Sequence, residues 1–193
     1  MDQIYDCRFD GMHDREVSMQ IVISPDPILR QDAEECDGND RSLKKLSKQM
    51  ARAMYKNNGC GLAGPQVGVL KRIIVIDCDV ESDKSHPITL INPKIIDLDG
   101  DPITDEEGCL SVPGIAVPIK RQPFAKVAYY DVNGEDQVIE GDGLLGRCLQ
   151  HEIDHLNGVT LFEAADPLTR IKALRDYDEA LKHGAKPGST SID

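Results

Sequence analysis

The sequence predicts an α+β fold, in which a helix near the start of the chain is followed by strands and then by two more helices. Three observations support this: a helical spacing of apolar residues at 42–57, β-branched runs between residues 72 and 140, and two capped helical segments after residue 142. Helices and strands occur in blocks instead of alternating, which is typical of the α+β class. The length of 193 residues fits one domain.

The first helix is predicted at residues 42–57. Its apolar residues recur at spacings of three and four and therefore share one face: Leu43, Leu46, Met50 and Met54. Asp40 or Ser42 can cap its start. We expect it to end before Asn58-Gly59, because glycine supplies a left-handed stop.

The next segment, GCGLAGPQVG at 59–68, contains four glycines and one proline, which fits neither a helix nor an ordinary strand. β-Rich runs follow, the second of which is one strand or a pair, at residues 72–77, 89–98, 126–131 and 137–140. Val132-Asn133-Gly134, between the last two runs, predicts a hairpin turn.

The last third of the chain is predicted to be helical. One helix begins at Asp142, which can cap it, and ends at Asn157-Gly158. The next begins with Asp166-Pro167 and ends near Gly184. We expect residues 1–18 to be a flexible extension and residues 186–193 to be a disordered tail. The folded domain is predicted between them, at residues 19–185.

Composition excludes several functions. The net charge of −12 repels phosphate backbones, which argues against DNA binding and against general nucleic-acid binding. No apolar run approaches the roughly 20 residues that a membrane helix needs, and the N-terminus lacks the apolar segment of a signal peptide. The sequence therefore predicts a cytoplasmic protein without a membrane partner, whose cysteines are mostly free thiols.

The segment QHEIDHLNG at 150–158 carries the clearest chemical pattern. In a helix, residues four apart lie on one face, so His151 and His155 can hold one metal ion. Glu152, rotated by about 100° from His151, can act as a general acid or base on water. The competing interpretation is that both histidines are ordinary core or surface residues, but the intervening glutamate and the capped apolar helix favour a metal site.

A catalytic ion of this kind needs a third protein ligand and one open position. An Asp, Glu, His or Cys elsewhere in the chain could supply that ligand. The best candidate is Cys109 in EEGCLSVPG (106–114), a segment that Gly108 and a Pro113-Gly114 turn are predicted to bend. The residues alone leave this choice open.

Three segments stand in order along the chain: GCGLAGPQ at 59–66, EGCLS at 107–111 and QHEIDH at 150–155. Together they resemble the three-motif signature of the peptide deformylase family, which removes the formyl group from the N-terminal methionine of new bacterial or organellar proteins. The resemblance implies a catalytic domain over 19–185, with antiparallel or mixed β-sheets packed around a central metal-binding helix and a helix near each end.

The resemblance also implies roles for individual residues. The metal ligands would be Cys109, His151 and His155. Glu152 would be the general base and then the general acid. The Gln66 side chain and the backbone N–H of Leu110 would bind the developing negative charge. Substrate contacts would come from Gly61, Cys60, Arg121, Leu144 and Cys148.

By the same resemblance, the cofactor is one divalent ion per chain. Fe(II) is the first expectation in the cell, with Zn, Ni or Co as alternatives, because a thiolate ligand suits borderline and soft ions. The partners would be N-formyl-methionyl nascent peptides and, transiently, the ribosome, through basic residues of the last helix, although a solvated helix face is the favoured interpretation. The lack of a transit peptide favours a bacterial protein.

Two positions depart from the family pattern. Cys60 stands where an aliphatic residue is common, and Gly64 stands where alanine is common. Neither change removes a catalytic atom.

Two rival functions remain open from the sequence. An HExxH peptidase that cleaves internal peptide bonds would need a third ligand downstream of the helix, where Glu163 is the next candidate. A non-catalytic metal-binding or ribosome-associated relative would be favoured by loss of Glu152 or Gln66, and both residues are present.

Overall fold

The computed structural model describes residues 19–37, 40–79, 82 and 84–189. The predicted extension at 1–18 and residues 190–193 of the predicted tail lie outside this part of the chain. The elements in order are α1 (Ser42–Lys56), β1 (Gly61–Ala63), β2 (Ile73–Ile76), β3 (Ile88–Asp99), β4 (Ile103–Cys109), β5 (Val112–Arg121), β6 (Phe124–Tyr130), β7 (Asp136–Gly141), α2 (Gly143–Leu156), α3 (Leu161–Ala164) and α4 (Pro167–Lys182). Short 3₁₀ helices lie at Pro27–Arg30 and Gly64–Val67.

The strands of the described chain form two sheets. One has five strands in the order β1-β2-β3-β6-β7, and the other is the β4-β5 pair. Neighbouring strands run antiparallel in both sheets. The predicted α+β class, with sheets around a central helix and a helix near each end, is confirmed.

The five-stranded sheet is covered on both faces, and β2 shows why. Its four residues are all buried, as expected for a strand between two layers. Ile74 and Ile76 pack in one core with the apolar face of α2, whereas Ile73 and Val75 pack in another core with α1. The two helices therefore pack on opposite faces of the sheet, and this packing fixes the position of α2.

A third core joins the two-stranded sheet to the end of the chain. Residues of β5 pack against Phe162 of α3 and Tyr177 of α4. The Tyr177 hydroxyl donates a hydrogen bond of 2.8 Å to the carbonyl oxygen of Ser24. Helix α4 is therefore also bonded to the segment that precedes α1.

The ends of α1 and α2 differ in detail from the predicted caps. The Asp40 side chain accepts a hydrogen bond from the Ser42 N–H, as predicted. The left-handed residue after α1 is Asn58, with φ of 55°, and not Gly59. Asp142 precedes α2 but makes no side-chain capping bond.

The largest difference from the sequence prediction is the β4-β5 hairpin, which the apolar pattern did not indicate. Pro113 and Gly114 lie inside β5, and the tight turn falls at Leu110-Ser111. The predicted tail also differs at residues 186–189, because the carbonyl oxygen of Ser189 accepts a hydrogen bond of 3.1 Å from the Gly114 N–H.

None of the described helices combines the length and the apolar character that a membrane span requires.

Candidate active site

Helix α2 carries the centre of the site. Leu149, Ile153 and Leu156 bury one face of the helix against the five-stranded sheet. His151 and His155 are also buried, and their rings lie 5.0 Å apart, edge to face. The predicted i, i+4 pairing of the two histidines is therefore present.

Cys109, the last residue of β4, completes a group of three metal-type donors. Its Sγ lies 3.2 Å from Nε2 of His155. One donor atom from each of Cys109, His151 and His155 lies within 4.8 Å of the other two. We call these residues the histidine cluster. One thiol and two imidazoles on rigid elements fit a tetrahedral divalent ion with one position left open.

Glu107 contacts the histidine cluster through the His151 ring. Its carboxylate is buried, and Oε2 lies 3.0 Å from Nδ1 of His151. Arg121 donates to both carboxylate oxygens, at 2.7 and 3.0 Å, and Arg147 lies 3.0 Å from Oε1. A carboxylate on the second nitrogen of a metal-binding histidine sets which nitrogen faces the ion.

Arg121, for which the resemblance implies a substrate contact, is buried in the structure. Its side chain is buried between Glu107 and Asp154, with a bond of 2.8 Å to the Asp154 carboxylate. It does not line the cavity described below. Arg121, the last residue of β5, therefore supports Glu107 instead of lining the cavity.

The electrostatics follow from burial. Burial, with the nearby His151, lowers the pKa of His155 well below its usual value, and neutral imidazole is the metal-binding form. Burial alone would lower the pKa of His151, but contacts with Cys109 and Glu107 raise it. A divalent ion replaces such a proton when it binds.

The Glu152 side chain is buried at the wall of the cavity that is described below. Burial raises its pKa to about 8, although the charge of His151 opposes the shift. Its Oε2 and Nδ1 of His155 are buried without a hydrogen-bond partner among the described residues. An unpartnered buried carboxylate oxygen beside a metal-type donor set fits a role in chemistry better than a role in packing.

Gln66 approaches the cluster from the 3₁₀ helix. Its Oε1 accepts a hydrogen bond of 2.7 Å from the Ala63 N–H, which directs Nε2 towards Cys109 Sγ at 3.5 Å. The amide is buried and is thus held with its donor facing the cluster. The neighbouring Gly64 has no room for a side chain, because a Cβ would lie 2.5 Å from the Lys71 carbonyl oxygen.

A cavity of about 560 Å³ opens onto the cluster, and it brings together most of the predicted site. Predicted residues on its lining are Cys60, Gly61, Gln66, Cys109, Leu110, Leu144, Cys148, His151 and Glu152. A side chain at Gly61 would overlap the Glu152 carboxylate and would come within 2.8 Å of Cys148 Sγ. Glycine at this position therefore keeps the cavity open beside the carboxylate.

The sequence reasoning missed Glu107, Arg147 and the partnership of Arg121 with Asp154. A signal for Glu107 existed, because histidine ligands commonly donate their second N–H to a carboxylate, and Glu107 stands two residues before Cys109. The two arginines had no such signal, since their contacts depend on the register of β5 and the orientation of α2.

Comparison with known proteins agrees with this geometry. Residues 18–171 match the family model described as Polypeptide deformylase. The peptide deformylase of Hahella chejuensis is 47% identical over 81% of this chain and 90% of its own length. That of Rhizobium meliloti is 40% identical over 86% of this chain and 96% of its own.

Solved structures give the same result. A peptide deformylase from Legionella pneumophila superposes with a TM-score of 0.79 at 40% identity, covering 86% of this chain and 97% of that one. The Synechococcus elongatus enzyme, solved in complex with actinonin, gives 0.77 at 38% identity, covering 92% and 95%. The chain therefore belongs to the peptide deformylase family, whose members are metal-dependent hydrolases that remove the formyl group from an N-terminal formyl-methionine.

Proposed function

We propose that Cys109, His151 and His155 hold the divalent ion of this deformylase and that Glu152 moves the proton during hydrolysis. The observation that carries the proposal is the convergence of three donor atoms within 4.8 Å of one another, beside a buried carboxylate at the cavity wall. The products are formate and a peptide with a free N-terminal methionine.

Fe(II) is the ion that we propose for the cell, with Zn, Ni or Co as alternatives, because one thiolate and two imidazoles suit this group of ions. When bound, such an ion lowers the pKa of water and polarises the formyl carbonyl. The Glu107 carboxylate keeps Nδ1 of His151 occupied, so that the other ring nitrogen faces the cluster.

Glu152 serves as base and then as acid. Its carboxylate takes a proton from the attacking water and returns it to the leaving amine. A group that must both accept and release a proton works best with a pKa near the operating pH. Burial places the pKa of Glu152 at about 8, which supports this double role.

Gln66 and Leu110 are proposed to stabilise the negative charge that develops on the formyl oxygen. The Gln66 amide is oriented by its bond to Ala63, so its N–H group needs no rearrangement during the reaction. Leu110 lies in the β4-β5 turn and lines the cavity, where its backbone N–H can act as a second donor. Preorganised donors of this kind contribute about 10²–10³ in rate each.

The cavity wall is proposed to select the methionine side chain. Leu144, Cys148 and Cys60 contribute apolar surface there. Gly61 belongs to β1, an edge strand of the five-stranded sheet, and an edge strand can bind an extended peptide through its backbone. Such binding suits nascent chains, whose downstream side chains vary.

The rival functions are less well supported. Glu163, the downstream ligand that an HExxH peptidase would require, instead forms ion pairs with Arg30 and Arg170. It also bonds to Thr160 in a capping box. A non-catalytic relative would be expected to lose Glu152 or Gln66, whereas both line the cavity.

The cytoplasmic location of the protein and its contact with the ribosome stay predictions.

The test is formate release from an N-formyl-Met peptide by protein purified without oxygen and loaded with Fe(II). Glu152→Ala is the control, and its bound metal is measured in the same samples. We expect the wild type to release formate, and the variant to be slower by about 10²–10⁴ while it retains one ion per chain.

Two outcomes would contradict the proposal. Equal rates for the wild type and Glu152→Ala would remove Glu152 from the chemistry. Absence of release with Fe(II), Co, Ni or Zn, despite one bound ion per chain, would favour the non-catalytic relative.

A further inference from the structure

Three cysteines outside the histidine cluster converge from distant parts of the chain. Cys60 lies between α1 and β1, Cys78 lies two residues after β2, and Cys148 lies on α2. Their Sγ atoms all lie within 4.8 Å of one another. We call these residues the thiol cluster; its members share no residue with the histidine cluster.

Two of the three thiols also approach the carbonyl oxygen of Cys60. The thiol of Cys148 lies 3.7 Å from the Cys60 oxygen, and that of Cys78 lies 4.0 Å from it. Cys148 is buried, whereas Cys60 and Cys78 are partly exposed. Cys60 and Cys148 also line the cavity, which gives a small ion a path to the sulfurs.

The spacing matches what a thiophilic ion requires. A zinc–sulfur bond is about 2.3 Å, so three sulfurs around one ion lie about 4 Å apart. The cluster therefore needs to contract by less than about 1 Å to enclose an ion. A disulfide would join only two of the sulfurs, whereas the mutual convergence of all three fits a shared central ligand.

The chemistry of the group selects the class of ion. It offers three sulfurs and neither an imidazole nor a carboxylate, and such a set favours soft ions such as Cu(I) and borderline ions such as Zn(II) over Fe(II) or Mg²⁺. Hydrogen bonds from Cys148 and Cys78 lower the pKa of Cys60, and the contacts with Cys60 and burial raise the pKa of Cys78 and Cys148. A bound metal ion would therefore have to displace the protons of Cys78 and Cys148.

We propose that the thiol cluster is a second metal site, separate from the histidine cluster, which binds one soft or borderline thiophilic cation through the sulfurs of Cys60, Cys78 and Cys148. Because Cys60 and Cys148 also line the cavity, an ion bound there would narrow the wall proposed to receive the methionine side chain. The alternative is that the cysteines only fill space, since all three pack in or against the apolar core beneath α2. Packing explains their burial, but it does not require sulfur at three meeting positions.

The test is a Cd²⁺ titration of reduced, metal-free, full-length protein. The thiolate-to-cadmium absorption band follows binding, and elemental analysis counts the ions after free metal is removed. We expect the wild type to hold about two Cd²⁺ per chain, one in each cluster. Cys78→Ser should hold about one, because the thiol cluster loses a ligand while the histidine cluster is untouched.

The controls use other cysteines of the chain. Cys36 is buried outside both clusters, so Cys36→Ser should keep about two ions. Cys109→Ser should keep the thiol-cluster ion, with the charge-transfer band of three sulfurs. The ion retained at the histidine cluster of Cys78→Ser shows that this variant is folded.

The proposal is overturned if the wild type and Cys109→Ser show no charge-transfer band of three sulfurs, or if Cys78→Ser takes up as many ions as the wild type. It is also overturned if the reduced protein reforms a disulfide within the cluster and then takes up no second ion. Counting ions does not depend on turnover, so failure here is distinguishable from failure of the deformylase assay.

Discussion

The histidine cluster and the thiol cluster both use helix α2, which carries His151, His155 and Cys148, but their surroundings differ. A carboxylate and two arginines back the histidine cluster: Glu107 bonds to His151, and Arg121 and Arg147 pair with Glu107. The thiol cluster is backed by apolar core and one backbone carbonyl. One group is held by charge, the other by packing.

This difference has a physical consequence. Buried charges must be paired, and their partners restrict the geometry closely, so the histidine cluster is prepared for one arrangement of ligands. Sulfurs in an apolar environment are held less specifically and can adjust to ions of different radius. The two clusters should therefore respond differently to substitutions around them, and the following experiments test that contrast.

The largest effect is expected from Glu107→Gln. Loss of the charge leaves the buried Arg121 with one acidic partner instead of two, and removing one partner of a buried ion pair typically costs about 3–5 kcal/mol. Metal affinity of the histidine cluster should also fall about 10–100-fold. Chemical denaturation and metal competition measure the two effects, and binding at the thiol cluster should be unchanged.

Glu140→Gln is the matched control for Glu107→Gln. Glu140 forms an exposed ion pair with Lys126, and such a pair is screened by water, so its loss should leave stability and metal affinity nearly unchanged. Similar losses of stability in the two variants would mean that the Glu107 network is no more important than a surface contact.

The second effect is expected from Gln66→Ala, which removes a preorganised donor. We expect kcat to fall by about 10²–10³ with little change in KM. Gln150→Ala is the control, because the Gln150 amide donates to the carbonyl oxygens of Gln122 and Gly146, so its loss should reduce stability rather than kcat. Steady-state kinetics that show an unchanged kcat for Gln66→Ala would exclude its proposed role.

A smaller effect, but one on both clusters, is expected from Gly61→Ala. The added methyl group would overlap the Glu152 carboxylate and approach Cys148 Sγ at 2.8 Å, and overpacking of this kind costs about 1–3 kcal/mol. Both formate release and uptake of the second Cd²⁺ should weaken. Gly108→Ala is the control, because nothing lies within 4 Å of its added Cβ; equal losses in both variants would contradict the steric explanation.

The smallest effect is expected from Tyr177→Phe, because Tyr177 is a member of neither cluster. It removes the hydrogen bond to the Ser24 carbonyl but keeps the ring contact with Phe162. Loss of one buried neutral bond should cost about 1 kcal/mol. Denaturant unfolding measures the cost, and a change in the number of bound ions would show that α4 is coupled to a cluster after all.

The sequence predicts those parts of the site whose residues lie close together along the chain. His151 and His155 follow from helical periodicity, and the predicted helix agrees with α2. Cys109 needed the three-motif resemblance, because its approach to the histidines depends on how β4 meets α2. The role of Arg121 was predicted less well for the same reason, because its contacts with Glu107 and Asp154 depend on how β4, β5 and α2 meet.

The β4-β5 hairpin shows why part of the fold was missed. Thr104, Asp105 and Glu106 are exposed, so β4 presents few apolar residues, and the prolines at 113 and 118 interrupt the strand pattern of β5. Its strand character comes from pairing with β4 and from burial against α4, which are tertiary effects that periodicity does not report.

The segment that follows α4 has a consequence for the shape of the cavity. Gly188 and Ser189 line the cavity beside Asn57, and a Cβ at Gly188 would lie 2.7 Å from the Asn57 carbonyl oxygen. This segment therefore forms part of the cavity wall, although it lies far along the chain from the histidine cluster. A substitution at Gly188 would displace that wall and change the width of the cavity without touching a ligand or Glu152.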